Sequence, residues 1–148
     1  MKPTEPLPLH HSWPLAEREA RFGLGSVFNL DPHALPELDM PALARRGIGF
    51  WECDLIDNAL RWTAPVYDLF GLPRGQPVRR EDALALYAPE SRAAMEALRA
   101  HAIRHRRGFT LNAEIRPGLA GSRWMRLIAA PICDGDRVIR LYGLKQPI

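Results

Sequence analysis

Three strand-forming segments separated by two turn signals occupy the end of the chain and constrain its fold most. They are FTLNAEIR at 109–116, SRWMRLIAAPI at 122–132 and RVIRLYGLKQ at 137–146. Pro117-Gly118 lies between the first two, Asp134-Gly135 lies between the last two, and such dipeptides favour tight turns. Short turns join antiparallel strands, because parallel neighbours need a long crossover. The chain is therefore predicted to end in three antiparallel strands.

A further hairpin is predicted near the middle of the chain. FWECDL and ALRWT, between residues 50 and 63, contain bulky residues that favour strands, and Asp57-Asn58 between them are turn residues. Thr63 is suited to cap a following helix, and Gly71 is suited to end it just before Pro73. We therefore expect two strands followed directly by a short helix.

Two more helices are predicted before the terminal strands. The shorter is REDALALY at 80–87 and the longer is PESRAAMEALRAHAIRHRR at 89–107, in which Ala94, Met95, Leu98 and Ala102 share one stripe. The element order is then two strands, several helices and three strands. This order predicts an α+β fold with a five-stranded antiparallel sheet, whose helices are inserted between strands 2 and 3.

The first 46 residues are predicted to form an N-terminal arm distinct from the domain at 47–148. Half of the 14 prolines lie within the first 41 positions, which rules out one long helix or a central strand there. Short helices remain possible at 14–22 and 36–46. In the segment 35–46, Leu35, Leu38 and Leu43 give an apolar side that could join a second copy of the chain or cover its own sheet.

Composition excludes several classes of protein. The longest apolar run, LIAAPIC at 127–133, is far too short to span a bilayer, and the N-terminus lacks the apolar segment of a signal peptide, so a cytoplasmic protein that does not enter the membrane is expected. Cys53 and Cys133 lie inside apolar stretches and are predicted to be buried thiols. No cysteine or histidine spacing suggests a metal site. The basic run at 101–107 is predicted to be a solvated helix end, which does not favour nucleic-acid binding.

Several short motifs occur in an order that resembles a PAS domain of the subgroup with a Trp-rich first hairpin. They are GFWECD at 49–54, LRWT at 60–63, YDLFGLP at 67–73, Pro89-Glu90, Arg123-Trp124 and the Asp-Gly turn into RVIRLYG. The resemblance covers residues 47–146. It implies a sensory or protein-interaction module without catalytic activity, usually a homodimer, often with a small ligand between the sheet and the long helix. Because the chain ends just after the last strand, we expect a single-domain protein that regulates a separate partner, such as a kinase.

The resemblance also directs attention to candidate site residues. A ligand pocket would be lined by Leu69, Leu86, Met95, Leu98, Ala102, Leu111, Ala113 and Ile128, although such apolar positions more often form a filled core. An alternative is a haem-binding gas or redox sensor that uses His105 or His101 as the axial ligand. Flavin is not supported, because REDALALY contains no cysteine. The cofactor, if there is one, therefore remains open.

The first hairpin carries acidic residues that could be mistaken for catalytic groups. Glu52 and Asp54 alternate with Trp51 and Cys53, which predicts that they lie on a sheet surface where a partner could bind. Cys53 is predicted to be inert packing in a strand. No set of a nucleophile and a base with supporting glycine motifs is present, so an enzyme is not expected.

Overall fold

In a computed structural model, residues 11–22, 40–118 and 121–148 form a six-stranded antiparallel sheet with helices on both of its faces. The strand order is β1-β4-β5-β6-β2-β3. The strands are β1 Ser12–Pro14, β2 Gly49–Asp54, β3 Leu60–Trp62, β4 Arg107–Ile115, β5 Arg123–Asp134 and β6 Arg137–Pro147. The helices are α1 Arg18–Phe22, α2 Met40–Arg45, α3 Ala64–Phe70, α4 Arg80–Ala85 and α5 Pro89–His105, and a 3₁₀ turn covers Leu15–Glu17. The α+β architecture and the inserted helices are as predicted.

The sheet has one strand more than predicted, because the N-terminal arm contributes β1. Trp13 of β1 lies opposite Gly108 of β4. The two are so close that a Cβ atom added at Gly108 would be 2.2 Å from the Trp13 indole ring. The indole Nε1–H also donates to Thr110 Oγ1 at 3.0 Å. Pro14 is tolerated because β1 is an edge strand. The helix predicted from residue 14 therefore begins only at Arg18.

The predicted central hairpin is confirmed. Trp51 pairs with Trp62 across β2 and β3, and Asn58 adopts a left-handed conformation at φ 59° in the turn. Gly71 ends α3 in the left-handed conformation at φ 69°. Thr63 occupies the position before α3 but does not cap it, because its hydroxyl accepts the Phe50 N–H of β2 at 2.8 Å.

The long helix and the strand after it meet two residues earlier than predicted. Helix α5 ends at His105, Arg106 is left-handed at φ 55°, and β4 already begins at Arg107. The buried side of α5 consists of Met95, Leu98 and Ala102, as its periodicity predicts. Ala94 is only partly buried against the same side.

The two faces of the sheet support separate apolar clusters. The inner cluster lies between the sheet and α3, α4 and α5, and it includes Leu69, Phe70, Leu98, Ala113 and Met125. The outer cluster lies on the opposite face and consists of Trp13, Phe22, Leu43, Ile48, Ile128, Ala130, Ile132, Tyr142 and Leu144. Within the described residues, no helix is long and apolar enough to cross a membrane.

Residues before position 47 cover part of the outer face. Arg18 is buried there, and its guanidinium donates to the hydroxyl of Tyr142 at 2.9 Å. Leu43 of α2 is also buried in the outer cluster, so this residue covers its own sheet. Leu35 and Leu38 lie outside the described residues.

Candidate functional site

A small cavity lies inside the inner cluster, between the sheet and helices α4 and α5. Its volume is about 50 Å³, which is space for roughly three or four water molecules. Fourteen residues line it: Trp51, Cys53, Leu60, Trp62, Arg80, Ala83, Leu84, Tyr87, Met95, Arg99, Phe109, Leu127, Leu141 and Lys145. The cavity therefore combines an apolar lining with three cationic side chains and two indoles.

Lys145 is the most unusual residue of this cavity. It lies in β6 on the same face as Leu141, because strand side chains alternate, and its side chain thus enters the inner cluster rather than solvent. Only 7% of Lys145 is exposed. Lysine is almost never buried to this extent unless it is paired.

Four aromatic rings surround the Lys145 ammonium. Its Nζ lies 4.8 Å from the ring centre of Phe70, 5.3 Å from Trp51, 5.5 Å from Trp62 and 6.0 Å from Tyr87. The electron-rich faces of aromatic rings attract cations, and the effect is larger where water is excluded. We call these four residues the aromatic cage.

Separate elements of the fold assemble the aromatic cage. Trp51 and Trp62 are opposite each other in the β2–β3 hairpin, Phe70 is the last residue of α3, and Tyr87 follows α4. Trp62 stacks on Phe70 with ring centres 4.9 Å apart, and Tyr87 is held by a bridge to Ile115 of β4. The cage is therefore fixed by the sheet and two helix ends.

The charges around Lys145 are almost all positive. Arg80 forms an ion pair with Glu96, and Arg99 donates to the Asn58 side chain at 3.0 Å. Burial lowers the pKa of Lys145 to about 7, and the nearby Cys53 opposes this shift. Among the described residues no carboxylate forms an ion pair with Lys145, so the ammonium form relies mainly on the aromatic rings around it.

Two hydrogen-bond donors of the cavity lining are unsatisfied. The Nε1–H groups of Trp51 and Trp62 are buried, and neither has a partner within the described part of the chain. Leaving a buried donor unpaired costs about 1–3 kcal/mol, so most such groups in proteins have a partner. Both donors therefore lack a hydrogen-bond partner, and they belong to residues that line the cavity.

The structure brings most predicted pocket residues into the inner cluster but only one of them to the cavity. Met95 lines the cavity. The residues that pack around it as core are Leu69, Leu86, Leu98, Ala102, Leu111 and Ala113. Ile128 is on the opposite face, in the outer cluster, because its neighbour Leu127 is the residue of β5 that faces inward.

The two candidate haem ligands lie away from the cavity. His101 and His105 stack with ring centres 4.5 Å apart near the end of α5, and neither belongs to the cavity lining. His105 is exposed. Partial burial and then the neighbouring charges of His105 and Arg107 lower the pKa of His101. This geometry gives no support to an axial histidine in the inner cavity.

Cys53 lines the cavity but lacks the surroundings of a reactive thiol. Burial raises its pKa, and this effect outweighs the positive charges of Arg99, Arg80 and Lys145. Cys53 and Cys133 are both buried thiols, and no disulfide joins them. Within the described residues, no group of three or more histidine, cysteine or acidic side chains is placed to hold a metal ion.

Glu52 and Asp54 are tied to basic residues of the same sheet. Glu52 lies 3.5 Å from Arg61 and 3.7 Å from Arg140, while Asp54 lies 4.0 Å from Arg140. The Glu52 side chain is only 13% exposed. Charge reversal at either position would break these contacts, so a loss of partner binding would not by itself identify a docking surface.

The sequence reading missed the central residue of the site. Lys145 is the last basic residue of RVIRLYGLKQ, and it could be taken for a solvated strand end. One signal in the sequence indicated its burial. Positions 141, 143 and 145 lie on the same face of the strand, and the first two are leucine and glycine, which suit a buried face. The convergence of the four cage residues could not be read from spacing.

Comparisons with known proteins give matches only among solved structures. No protein-family model matches the chain, and no curated protein matches it. A sensory box histidine kinase/response regulator from Burkholderia thailandensis E264 superposes with a TM-score of 0.63 at 15% identity, over 73% of this chain and 82% of that one. The N-terminal domain of a diguanylate cyclase with PAS/PAC sensor from Marinobacter aquaeolei gives 0.61 at 16% identity, over 68% and 94%.

An RNA-binding light-oxygen-voltage receptor is also similar, with a TM-score of 0.60 at 17% identity. The match covers 68% of this chain but only 29% of that receptor, so the likeness concerns one domain of it. All three superpose on this chain with a TM-score of at least 0.60. The described part of the chain therefore has the fold of a PAS domain.

Proposed function

We propose that this protein is a sensory module without catalytic activity, which holds a small ligand in its inner cavity and acts by binding a separate signalling protein. The observation that carries this proposal is the cavity itself. It contains a buried ammonium group and two unpaired indole donors, which plain packing would not leave unsatisfied. The similar domains in a histidine kinase and a diguanylate cyclase support a signalling role.

The proposal includes a homodimer formed through exposed apolar side chains of the outer face. Trp124 of β5 is 50% exposed there, next to Ile148, which is 56% exposed and whose N–H donates to the Trp124 carbonyl at 3.1 Å. Exposed large apolar side chains that lie side by side are typical of protein contacts. A second copy of the chain would cover both residues.

Native mass spectrometry of the gently purified chain tests the proposal. The expected spectrum is that of a dimer, with added mass from a small molecule retained by each copy. A chain that is monomeric and carries nothing at every concentration would contradict it. The proposal also places the protein in the reducing cytoplasm, where the two buried thiols would not form disulfides.

Replacing Trp124 by glutamate is expected to weaken the dimer at least about fivefold, because a central aromatic contact commonly contributes more than about 1 kcal/mol to an interface. The fold should be retained, since half of the side chain is already in solvent. Sedimentation velocity over a concentration series measures the change. Ile56→Glu is the matched control, because Ile56 is 87% exposed at the tip of the first hairpin and away from β5. Equal dissociation constants for both variants would refute this interface.

A further inference from the structure

Every strong polar group that the cavity leaves unsatisfied is a donor. Lys145, Trp51 and Trp62 line it together, and the indole N–H groups of the two tryptophans are buried without a partner. The lining residues Arg80 and Arg99 add positive charge. No acidic residue is among the described residues that line the cavity, and Glu96 is paired with the lining residue Arg80. A ligand that satisfies the cavity must therefore accept hydrogen bonds, and it should carry negative charge.

We propose that the inner cavity binds a small oxyanion, with the Lys145 ammonium as its charge partner and the indoles of Trp51 and Trp62 as additional donors. This inference rests on the proposed function, because it names the ligand class of the same cavity. Hydrogen bonds between a cationic donor and an anionic acceptor are roughly twice as strong as neutral ones. Such an anion would satisfy donors that the folded chain alone leaves unpaired.

The size of the cavity restricts the anion. About 50 Å³ accommodates three or four non-hydrogen atoms, which corresponds to formate, acetate, nitrite, nitrate or bicarbonate. The apolar walls formed by Leu84, Met95 and Leu141 fit the methyl group of acetate better than a second charged group. A small monoanion is therefore the ligand class that both size and chemistry favour.

A neutral or cationic ligand fits the same surroundings less well. The aromatic cage is already occupied by an ammonium group, and no carboxylate of the described lining could balance a second cation. An apolar ligand would leave the ammonium and both indole donors unpaired. Of the neutral, cationic and anionic ligands, only an anion can pair with both the Lys145 ammonium and the two indole donors.

Binding of an anion is expected to depend on pH through Lys145. Burial lowers the pKa of Lys145 to about 7, and the anion pairs with the protonated form, so binding raises this pKa and takes up a proton above pH 7. The other groups that face the site are Arg80, Arg99, Glu96, Tyr87 and Cys53. Burial raises the pKa of both the Cys53 thiol and the Tyr87 hydroxyl, which keeps them neutral. The apparent affinity should therefore fall by up to about tenfold per pH unit above 7.

The test is a ¹⁵N–¹H NMR titration of the four tryptophan indole N–H signals with sodium acetate, formate and nitrate at constant ionic strength. The expected result is a saturable shift of the Trp51 and Trp62 signals, with the Trp13 and Trp124 signals unchanged. Binding should be weaker at pH 8 than at pH 6. In Lys145→Met the dissociation constant should rise at least tenfold, whereas Arg137→Met, which removes an exposed cation of the same strand, should leave it unchanged.

Acetamide provides the decisive comparison because it has the shape of acetate without its charge. If acetamide shifts the same two signals with equal affinity, the cavity takes a ligand but the anion is not its class, and only the present inference fails. If no anion produces a saturable shift at either pH, the inference is also overturned. The proposed sensory function is then judged separately by the mass of any molecule retained in the native spectrum. A Lys145→Met variant that binds acetate as tightly as the native chain would exclude Lys145 as the charge partner.

Discussion

Replacing Lys145 by methionine is expected to stabilise the protein at pH 6 by several kcal/mol. The native ammonium is buried without a carboxylate partner among the described residues, and burial lowers its pKa from 10.5 to about 7. That difference corresponds to at most roughly 5 kcal/mol. Methionine has a similar length, carries no charge and makes favourable contacts with aromatic rings, so it suits the aromatic cage.

The same substitution is expected to change how stability depends on pH. Between pH 7 and 10.5 the unfolded chain holds a proton on Lys145 that the folded chain has released. The native free energy of unfolding should therefore rise with pH through this window, and the cost of burying the ammonium is fully present below pH 7. Lys145→Met should lack this rise. The difference in the free energy of unfolding between Lys145→Met and the native protein should thus become smaller as the pH increases.

Urea denaturation followed by tryptophan fluorescence, at half-unit intervals from pH 6 to 8.5, measures both effects. This range avoids the ionisation of cysteine and tyrosine in the unfolded chain at higher pH. Lys145→Arg is the matched control, because arginine keeps a permanent charge at the same place. Its free energy of unfolding should be below that of Lys145→Met and should not rise with pH through loss of this charge. Parallel curves for the native protein and Lys145→Met would show that Lys145 is not buried as described.

Replacing Gly143 by alanine is expected to produce the largest loss of stability of any single methyl addition. A Cβ atom at this position would stand 1.7 Å from the carbonyl oxygen of Ile128 and 2.7 Å from its carbonyl carbon. Both are backbone atoms of the neighbouring strand β5, so no side-chain rotation can make room. We expect a loss of at least about 3 kcal/mol, or failure to fold, because β5 and β6 would have to separate.

Gly135→Ala is the matched control for this prediction. Gly135 lies in the turn between the same two strands at φ 60°, and a Cβ atom there would meet nothing within 4 Å. Gly135→Ala should lower the free energy of unfolding by only roughly 1–2 kcal/mol, which is the cost of placing an alanine in the left-handed conformation. Urea denaturation compares the two variants. If Gly143→Ala costs no more than Gly135→Ala, the close approach of β5 and β6 is refuted.

The parts of the fold that depend on local signals could be predicted from the sequence. The Asp57-Asn58 turn sets the register in which Trp51 meets Trp62, and Gly71 ends α3 because it adopts a left-handed conformation without strain. The stripe of α5 follows directly from its helical period. In each of these cases the interacting residues are close in sequence.

Features that depend on contacts between distant residues were missed. Strand β1 exists because Trp13 packs on Gly108, and no local signal near Pro14 indicates a strand. The arm therefore covers part of the outer face. Because Leu43 is already buried there, it does not need a partner chain to cover it. The interface proposed around Trp124 is correspondingly restricted to the face that remains exposed.

The candidate site also depends on contacts between residues that are distant in sequence. The predicted pocket residues were chosen as apolar positions of helices and strands, and that reasoning finds the inner cluster. It does not find Lys145, because a lysine in a strand is ordinarily solvated and only the aromatic cage around it reveals its burial. Trp51 and Trp62 were predicted as a strand pair, but their unpaired donors are visible only in three dimensions.

The most direct test of the account is the pKa of Lys145 measured by NMR. The sequence contains only two lysines, Lys2 and Lys145, so lysine-selective ¹³C labelling gives two sets of side-chain signals, and the set that is absent from Lys145→Met belongs to Lys145. The account predicts that this signal titrates near pH 7 in the native protein, and at higher pH when saturating acetate is present. A Lys145 signal that titrates near its ordinary value of 10.5, with or without acetate, would contradict the buried ammonium and the ligand site built around it.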